Sequence, residues 1–232
     1  MSILDRERNA ELGGGGTCQE EPGWVLASAS PRRSDILRRL GLRFRVDPCR
    51  DPEPLQNTSE SSSGYVRRLS RLKAKAVAGY HPGCRIIAAD TTVVVNNTIL
   101  GKPSDRTEAK DMLRSLGGRR HEVLTGLCLM TADEPRHIHS STTCSDVYFR
   151  RLSDDDVEWY LNTEEYRDKA GAYGIQGFAS LFINRIEGCY FNIVGFPVSE
   201  FARLCRRAKI NLLKNLYRPL PETAGSPVDF CY

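Results

Sequence analysis

Eight polar residues of this chain have the types and surroundings expected of a site for a phosphorylated ligand. Four are basic, two are carboxylates, and the others are a serine and a glutamine. They are Ser28, Arg32, Arg33, Glu53, Lys73, Asp90, Lys102 and Gln176. Arginine binds phosphate through paired hydrogen bonds and lysine as a point charge, whereas carboxylates suit Mg²⁺, which also binds phosphate oxygens. The combination favours phosphoryl or nucleotidyl transfer to water.

The common motifs of other phosphate- and metal-dependent enzymes do not occur in the sequence. It contains no GxxxxGK[ST] loop, no HExxH and no GxSxG. The four glycines at 13–16 are not followed by the lysine that a phosphate-binding loop requires. The eight cysteines form no CxxC pair, which favours reduced thiols over a zinc or redox site. The chemistry must therefore come from residues that the fold brings together.

The two arginines of the set follow the first predicted strand. The apolar run 24–28 reads as a buried strand, and Ser30 and Pro31 then mark the beginning of a helix. Arg32 and Arg33 thus fall in the first helical turn, where backbone N–H groups and the helix dipole favour anions. A bound anion would offset the cost of placing positive charge at this end of a helix.

The most informative segment is 85–95. We predict two core strands, 86–89 and 93–95, with Asp90 between them at the end of an apolar run. A carboxylate there is costly unless it is paired or binds a metal. Lys102 follows in a loop between a glycine and a proline. Lys73 lies in a predicted helix, 61–80, where the alternative is an ordinary solvated lysine face.

The remaining pattern alternates between strands and helices. Beyond the elements above, it predicts strands at 44–47, 120–130, 137–150 and 179–186, helices at 105–116, 153–162 and 197–208, a proline-flanked loop at 51–54, and a glycine-rich loop at 166–177. The two long strands are expected to pair antiparallel. Three glycines in the last seven residues of the 166–177 loop allow close approach of the backbone to a ligand.

Seven ordered motifs resemble those of the Maf family of nucleoside triphosphate pyrophosphatases. They are LASASPRR at 26–33, KAKA at 73–76, ADTTVV at 89–94, GKP at 101–103, GRRHEVLTG at 118–126, DKAGAYGIQG at 168–177 and IEGCYFNIVGFP at 186–197. The similarity spans about 24–207, and several motifs in consistent order make it specific. The DKAGAYGIQG loop resembles the subgroup that prefers dTTP and UTP.

The resemblance implies a fold and an activity. The expected fold is α/β, with an elongated mixed sheet, flanking helices and two lobes around a central cleft, similar to inosine triphosphate pyrophosphatases. The expected reaction cleaves the α–β phosphate bond of dTTP, UTP or a modified pyrimidine nucleotide, giving a nucleoside monophosphate and pyrophosphate. The alternative is a nucleotide-binding regulator of cell division or septum formation without significant turnover.

The resemblance also implies roles for the eight residues. Ser28, Arg32 and Arg33 would bind phosphates, and Gln176 would line the nucleotide pocket. Lys73 and Lys102 would neutralise the triphosphate, while Asp90 and Glu53 would bind Mg²⁺ or Mn²⁺ and Asp90 would position or activate the water. The run 47–53 departs from the family's usual acidic pattern, so Glu53 is the first choice for that carboxylate and Asp51 the alternative.

Composition limits the possible partners and organisation. The net charge of +4 over 232 residues is too small to indicate nucleic-acid binding, and no apolar stretch is long enough to cross a membrane. With no apolar leader in the first 30 residues, we expect a cytoplasmic protein. We predict a flexible extension at 1–22, one domain at 23–210 and a tail at 211–232. A homodimer is left open.

Overall fold

The computed structural model describes residues 23–217, so the predicted extension at 1–22 and most of the predicted tail lie outside the described residues. Within this range the strands are β1 (Trp24–Leu26), β2 (Arg45–Val46), β3 (Arg85–Val95), β4 (Thr98–Leu100), β5 (Arg120–Met130), β6 (Ile138–Phe149) and β7 (Ile183–Glu187). The α-helices are α1 (Pro31–Arg39), α2 (Ser62–Ala78), α3 (Arg106–Leu116), α4 (Asp154–Asn162), α5 (Tyr190–Val194) and α6 (Val198–Arg207). No helix in this range is long and apolar enough to cross a membrane.

One mixed sheet connects these strands in the order β2-β1-β3-β5-β6-β7, with β4 also paired to β3. The β2, β1 and β3 strands run parallel, and the other pairs are antiparallel. Both β1 and β4 pair with the edge of β3 that faces away from β5, one near each end. Residues 88–92 of β3 therefore have no described strand on that edge, which leaves the middle of the sheet open. The predicted α/β fold with an elongated mixed sheet and flanking helices is confirmed.

The hydrophobic core is divided at the same place. Along one face of β3, Ile87 and Ala89 pack into a core with α1 and α6, whereas Val93 and Val95 pack into another core with α3 and α4. Thr91 lies between the two groups on that face. The opposite face is covered by α2. Two lobes thus share the long strands, and the polar stretch of β3 lies where they meet.

Local sequence explains how two helices and one hairpin begin. Ser30 and Pro31 begin α1, although the Ser30 side chain makes no capping hydrogen bond. Ser153 begins α4 with a reciprocal capping box to Asp156. Asn96 and the residue after it connect β3 to β4 with positive φ at both positions, as a tight hairpin requires.

The expectation of two separate strands around Asp90 is wrong, because β3 continues through it. Asp90 pairs with Gly126 on β5, so its backbone hydrogen bonds stay within the sheet. Its charge does not interrupt the strand because Lys73 on α2 compensates for it.

The predicted strand 179–186 is also partly wrong. A 3-10 helix, Phe178–Phe182, precedes β7. Ala179 and Phe182 are both buried, at the three-residue spacing of that helix. The five-residue α5 was not predicted, because one and a half turns leave no clear periodicity.

The first residues of the predicted tail contact the domain. Asn215 accepts a hydrogen bond from Nε1 of Trp24 at 2.9 Å, and Leu216 forms an isolated antiparallel bridge with Leu42. This segment therefore contacts β1 and the residues that follow α1. The domain boundaries themselves remain a prediction.

Candidate active site

A cleft of about 1110 Å³ opens between the two lobes. Its lining includes every site residue singled out from the sequence: Ser28, Arg32, Arg33, Glu53, Lys73, Asp90, Lys102 and Gln176. These residues come from seven separate segments between β1 and the glycine-rich loop. Their convergence follows from the gap at residues 88–92 of β3, onto which the neighbouring loops fold.

At the centre of the cleft, the ammonium group of Lys73 bridges two carboxylates. Its Nζ lies 2.5 Å from Oδ1 of Asp90 and 2.6 Å from Oε1 of Glu53. The Asp90 and Lys73 side chains are only 10% and 16% exposed, whereas that of Glu53 is 54% exposed. Burial would raise the pKa of Glu53, but the hydrogen bond and charge of Lys73 outweigh it and hold that pKa below its ordinary value. Lys73 is therefore part of the site and not of a solvated face.

Lys73 reaches Asp90 because α2 lies unusually close to the sheet. A Cβ built on Gly126 would lie 2.2 Å from the carbonyl oxygen of Val66, on the first half of α2. Gly126 is the residue paired with Asp90 across β3 and β5. The missing side chain thus permits the helix to cross the sheet beside the carboxylate.

Of the two acidic candidates, Glu53 is the one that reaches the central lysine. Its carboxylate contacts Lys73 and lines the cleft. Asp51 is not among the residues that line the cleft; it lines a neighbouring hollow of about 500 Å³, which Glu53 and Lys73 also border. The geometry favours Glu53 as the partner of Asp90.

Arg33 is held by the protein through three hydrogen bonds. Its Nη1 donates to Oγ of Ser28 at 2.8 Å, its Nη2 to Oγ1 of Thr91 at 3.0 Å, and its Nε to the carbonyl oxygen of Gly195 at 2.9 Å. Thr91 is also 2.9 Å from Oγ1 of Thr125. Burial lowers the pKa of Arg33 from its ordinary value. Arg33 therefore connects the first strand–helix turn to β3 and to the end of α5, and Ser28 is its partner.

The side chains of Arg32 and Lys102 are not held by the protein as that of Arg33 is. Neither makes a hydrogen bond or ion pair within residues 23–217, and both line the cleft. The loop that carries Lys102 is fixed at its base, because the backbone N–H of Gly171 donates to the carbonyl oxygen of Gly101 at 2.9 Å. This bond connects the Lys102 loop to the glycine-rich loop that carries Gln176.

Residues 23–208 match the sequence profile of the family described as Maf-like protein. The chain belongs to the Maf family. A protein of Koribacter versatilis named dTTP/UTP pyrophosphatase is 44% identical over 188 residues, which cover 81% of this chain and 95% of that protein. A Pyrococcus furiosus protein of the same name is 43% identical over 180 residues, covering 78% of this chain and 92% of that protein. A solved dITP/XTP pyrophosphatase of Mycobacterium abscessus is 15% identical, with a TM-score of 0.41 over 82% of this chain and 98% of that one.

Within the Maf fold of this chain, the cleft also contains charged residues that the sequence did not single out. Glu165 and Lys169 both line it. The Glu165 carboxylate accepts the backbone N–H of Phe178 at 2.8 Å and the hydroxyl of Tyr160 at 3.2 Å. Glu165 fixes the end of the glycine-rich loop, and a Cβ on Gly177 would lie 2.1 Å from one of its oxygens. Lys169 stands in the DKAGAYGIQG motif, so the resemblance held the signal that could have found it. Glu165, just before that motif, had no comparable signal.

Proposed function

We propose that this chain is a nucleoside triphosphate pyrophosphatase that cleaves dTTP and UTP to the monophosphate and pyrophosphate. The observation that carries the proposal is the Glu53–Lys73–Asp90 cluster at the centre of a cleft that also presents Arg32 and Lys102. Carboxylates and unpaired cations side by side are what hydrolysis of a polyphosphate needs. The two relatives described above are named for this activity, and the similarity to each extends over most of both chains.

The carboxylates also fit a divalent metal. Glu53 and Asp90 both contact the Lys73 ammonium group, so the two carboxylates lie close together, and carboxylate oxygens are the ligands that Mg²⁺ and Mn²⁺ prefer. We propose that these two residues hold the metal. When bound, it would supply charge stabilisation to phosphate oxygens and lower the pKa of a coordinated water.

The chain's own residues divide the remaining work. The bond between the α and β phosphates breaks, with water as the nucleophile and pyrophosphate as the leaving group. Asp90 orients the water and accepts its proton, because Lys73 holds Oδ1 and Oδ2 makes no hydrogen bond within residues 23–217. Lys102 and Arg32 stabilise the charge that develops on the phosphates. Arg33 keeps the first strand–helix turn in place, and Gln176 contacts the nucleotide.

A small-molecule substrate also agrees with how the basic segment 32–45 is used. Arg33 is bonded inside the protein, Arg38 pairs with Asp35, and Arg43 stacks on Tyr217. These contacts favour a structural use of the arginines over a nucleic-acid surface. A nucleotide-pool substrate also agrees with the expected cytoplasmic location.

The test is a pyrophosphate-release assay over normal and modified nucleoside triphosphates. We expect turnover of dTTP and UTP to exceed that of purine triphosphates and of 7-methyl-GTP. Chelation by EDTA should abolish turnover, and Mg²⁺ or Mn²⁺ should restore it. Full activity in the chelator contradicts the metal proposal, and a preference for 7-methyl-GTP contradicts the substrate class. Tight nucleotide binding without turnover under any metal would favour the regulator.

A further inference from the structure

The cleft contains one basic residue that the sequence did not predict there, Lys169. The contacts of Lys169 differ from those of the other basic residues in the cleft. Five cationic side chains line the cleft: Arg32, Arg33, Lys73, Lys102 and Lys169. Arg33 is bound to three protein oxygens and Lys73 to two carboxylates. Lys169 has no carboxylate within salt-bridge distance in residues 23–217, and its Nζ donates only to the backbone carbonyl of Glu165. Two of its three N–H bonds thus remain for a ligand.

The glycine-rich loop is built around the Lys169 side chain. A Cβ built on Gly174 would lie 2.8 Å from Cε and 3.0 Å from Cδ of Lys169. The glycine therefore leaves the space through which the lysine stem passes. Asp168, just before it, has a φ of 58°, in the left-handed region that is unusual for a residue with a side chain. This backbone turn and the contact with Glu165 together hold the half-buried Lys169 side chain at the cleft.

The charge of Lys169 is compensated only in part. Burial and the positive charge of Arg32 lower the pKa of Lys169, and the nearby carboxylates of Glu165 and Asp168 oppose this without outweighing it. The Glu165 carboxylate is directed to Phe178 and Tyr160 instead. Arg32 also has no ion pair in residues 23–217. Two like charges, neither of them in an ion pair within residues 23–217, thus line the same cleft, and an anionic ligand between them would remove the repulsion.

We propose that Lys169 and Arg32 together form a phosphate-binding subsite of the cleft, with Lys169 as a direct ligand of the substrate's phosphate groups. The inference rests on the proposed function only for the identity of the anion. The subsite joins the first turn of α1 to the glycine-rich loop. It therefore explains why a lysine directly precedes the AGAYGIQG sequence, whose glycines allow the backbone to approach a nucleotide.

Binding measurements without turnover test this subsite separately from the enzymatic activity. The probes are an α,β-imido analogue of dUTP, inorganic pyrophosphate and dUMP, each titrated by calorimetry into the full chain. Lys169→Met removes the charge and keeps the length of the side chain. Arg167→Met is the matched control, because Arg167 is two residues away, outside the cleft lining, and paired with Glu164. Gly174→Ala is a second variant that displaces Lys169 without changing any charge.

Lys169→Met should weaken binding of the analogue by about tenfold or more, as expected for loss of a charge-assisted hydrogen bond. The affinity for either pyrophosphate or dUMP should fall in parallel. The probe that is affected identifies the part of the substrate that the subsite binds. Gly174→Ala should weaken the same probe, and Arg167→Met should change none of them. Unchanged affinity for all three probes in a folded Lys169→Met variant overturns the subsite, even if the wild-type chain hydrolyses dTTP. Weakened binding in a chain that hydrolyses nothing leaves the subsite intact and refutes the proposed function alone.

Discussion

The ammonium nitrogen of Lys73 lies 2.5 Å from Oδ1 of Asp90, in the middle of an eleven-residue strand. The lysine comes from a helix on one face of the sheet, and the aspartate is paired across the sheet with Gly126. Glu53 contacts the same ammonium group from a loop. A buried carboxylate is thus stabilised within a strand, and it stays close to a second carboxylate that is half exposed to the cleft.

This arrangement predicts that Asp90→Asn will fold, bind nucleotide and fail to turn over. Lys73 keeps Glu53 as its partner, so the lysine is not left buried and unpaired. Arg32, Lys102 and Lys169 still attract the triphosphate. We expect turnover to fall by about 10³-fold, the scale of losing a preorganised charged group at the reacting centre. Turnover is measured by pyrophosphate release and folding by thermal melting. Nucleotide binding is measured by titration.

The contrasting possibility is that Asp90 only holds the core together. In that case stability falls together with activity, because breaking a buried ion pair costs about 3–5 kcal/mol. Asp146→Asn is a useful control, since Asp146 also pairs with a basic residue, Arg120, on strands of the same sheet but outside the cleft lining. A stable Asp90→Asn variant with near-normal turnover contradicts the mechanism proposed above.

Local sequence signals were enough to locate most elements and the cleft residues. Strands with clear apolar runs, such as β1 and β5, and helices with recognisable caps, such as α1 and α4, lie close to their expected positions. The motifs that resemble the Maf family contain seven of the eight site residues, and Glu53 lies in the loop between the first two motifs. What these signals could not show is which charges are already neutralised by the protein.

The missed features depend on contacts between residues far apart in sequence. Asp90 looked like a strand end because its partner, Lys73, lies 17 positions earlier on a helix whose packing is set by Gly126. Arg33 stays predicted as a phosphate ligand, but its sequence position gave no sign that it also hydrogen-bonds to β3 and to the end of α5. Lys169 became distinct only when the structure placed it beside Arg32, with a backbone carbonyl and no ion pair as its contact in residues 23–217. Local patterns carry no information on such pairings.

Glu53→Gln and Asp51→Asn form a matched pair that tests the choice of the second carboxylate. Glu53 contacts Lys73 at 2.6 Å, whereas Asp51 lines the adjacent hollow. We expect Glu53→Gln to lower turnover by about 10²-fold or more, because it removes a charge next to the reacting groups. Asp51→Asn should stay within about twofold of the wild type. The check is pyrophosphate release at several Mg²⁺ concentrations, and the reverse ranking of the two variants would assign the site to Asp51.

His121 should make the stability of the protein depend on pH. It is 1% exposed, with Nε2 2.8 Å from the hydroxyl of Tyr173. Burial lowers its pKa from the ordinary 6.5 to about 4, partly opposed by the charge of Asp146. Between these values the unfolded chain binds the proton and the folded protein does not. The contribution of His121 to the free energy of unfolding is therefore fully present above pH 6.5. It is lost, by about 3 kcal/mol in total, as the pH drops towards 4.

The measurement is urea unfolding of the wild type and His121→Gln at about pH 7 and about pH 4.5. Glutamine cannot titrate, so the variant should lose less free energy of unfolding between the two pH values than the wild type loses. His137→Gln, at an exposed position before β6, should behave like the wild type. Equal pH dependence in the wild type and His121→Gln contradicts a buried neutral imidazole.

The close crossing of α2 over β5 gives the last prediction. A Cβ at Gly126 would lie 2.2 Å from the carbonyl oxygen of Val66, so Gly126→Ala must push the helix away from the sheet. We expect a loss of about 1–3 kcal/mol in unfolding free energy. Turnover should also fall, because Lys73 moves with the helix and away from Asp90. Gly79→Ala is the control, since a Cβ there meets nothing within 4 Å at the end of the same helix. If Gly126→Ala is as stable and as active as Gly79→Ala, then close packing of the helix on the sheet is not what places the lysine.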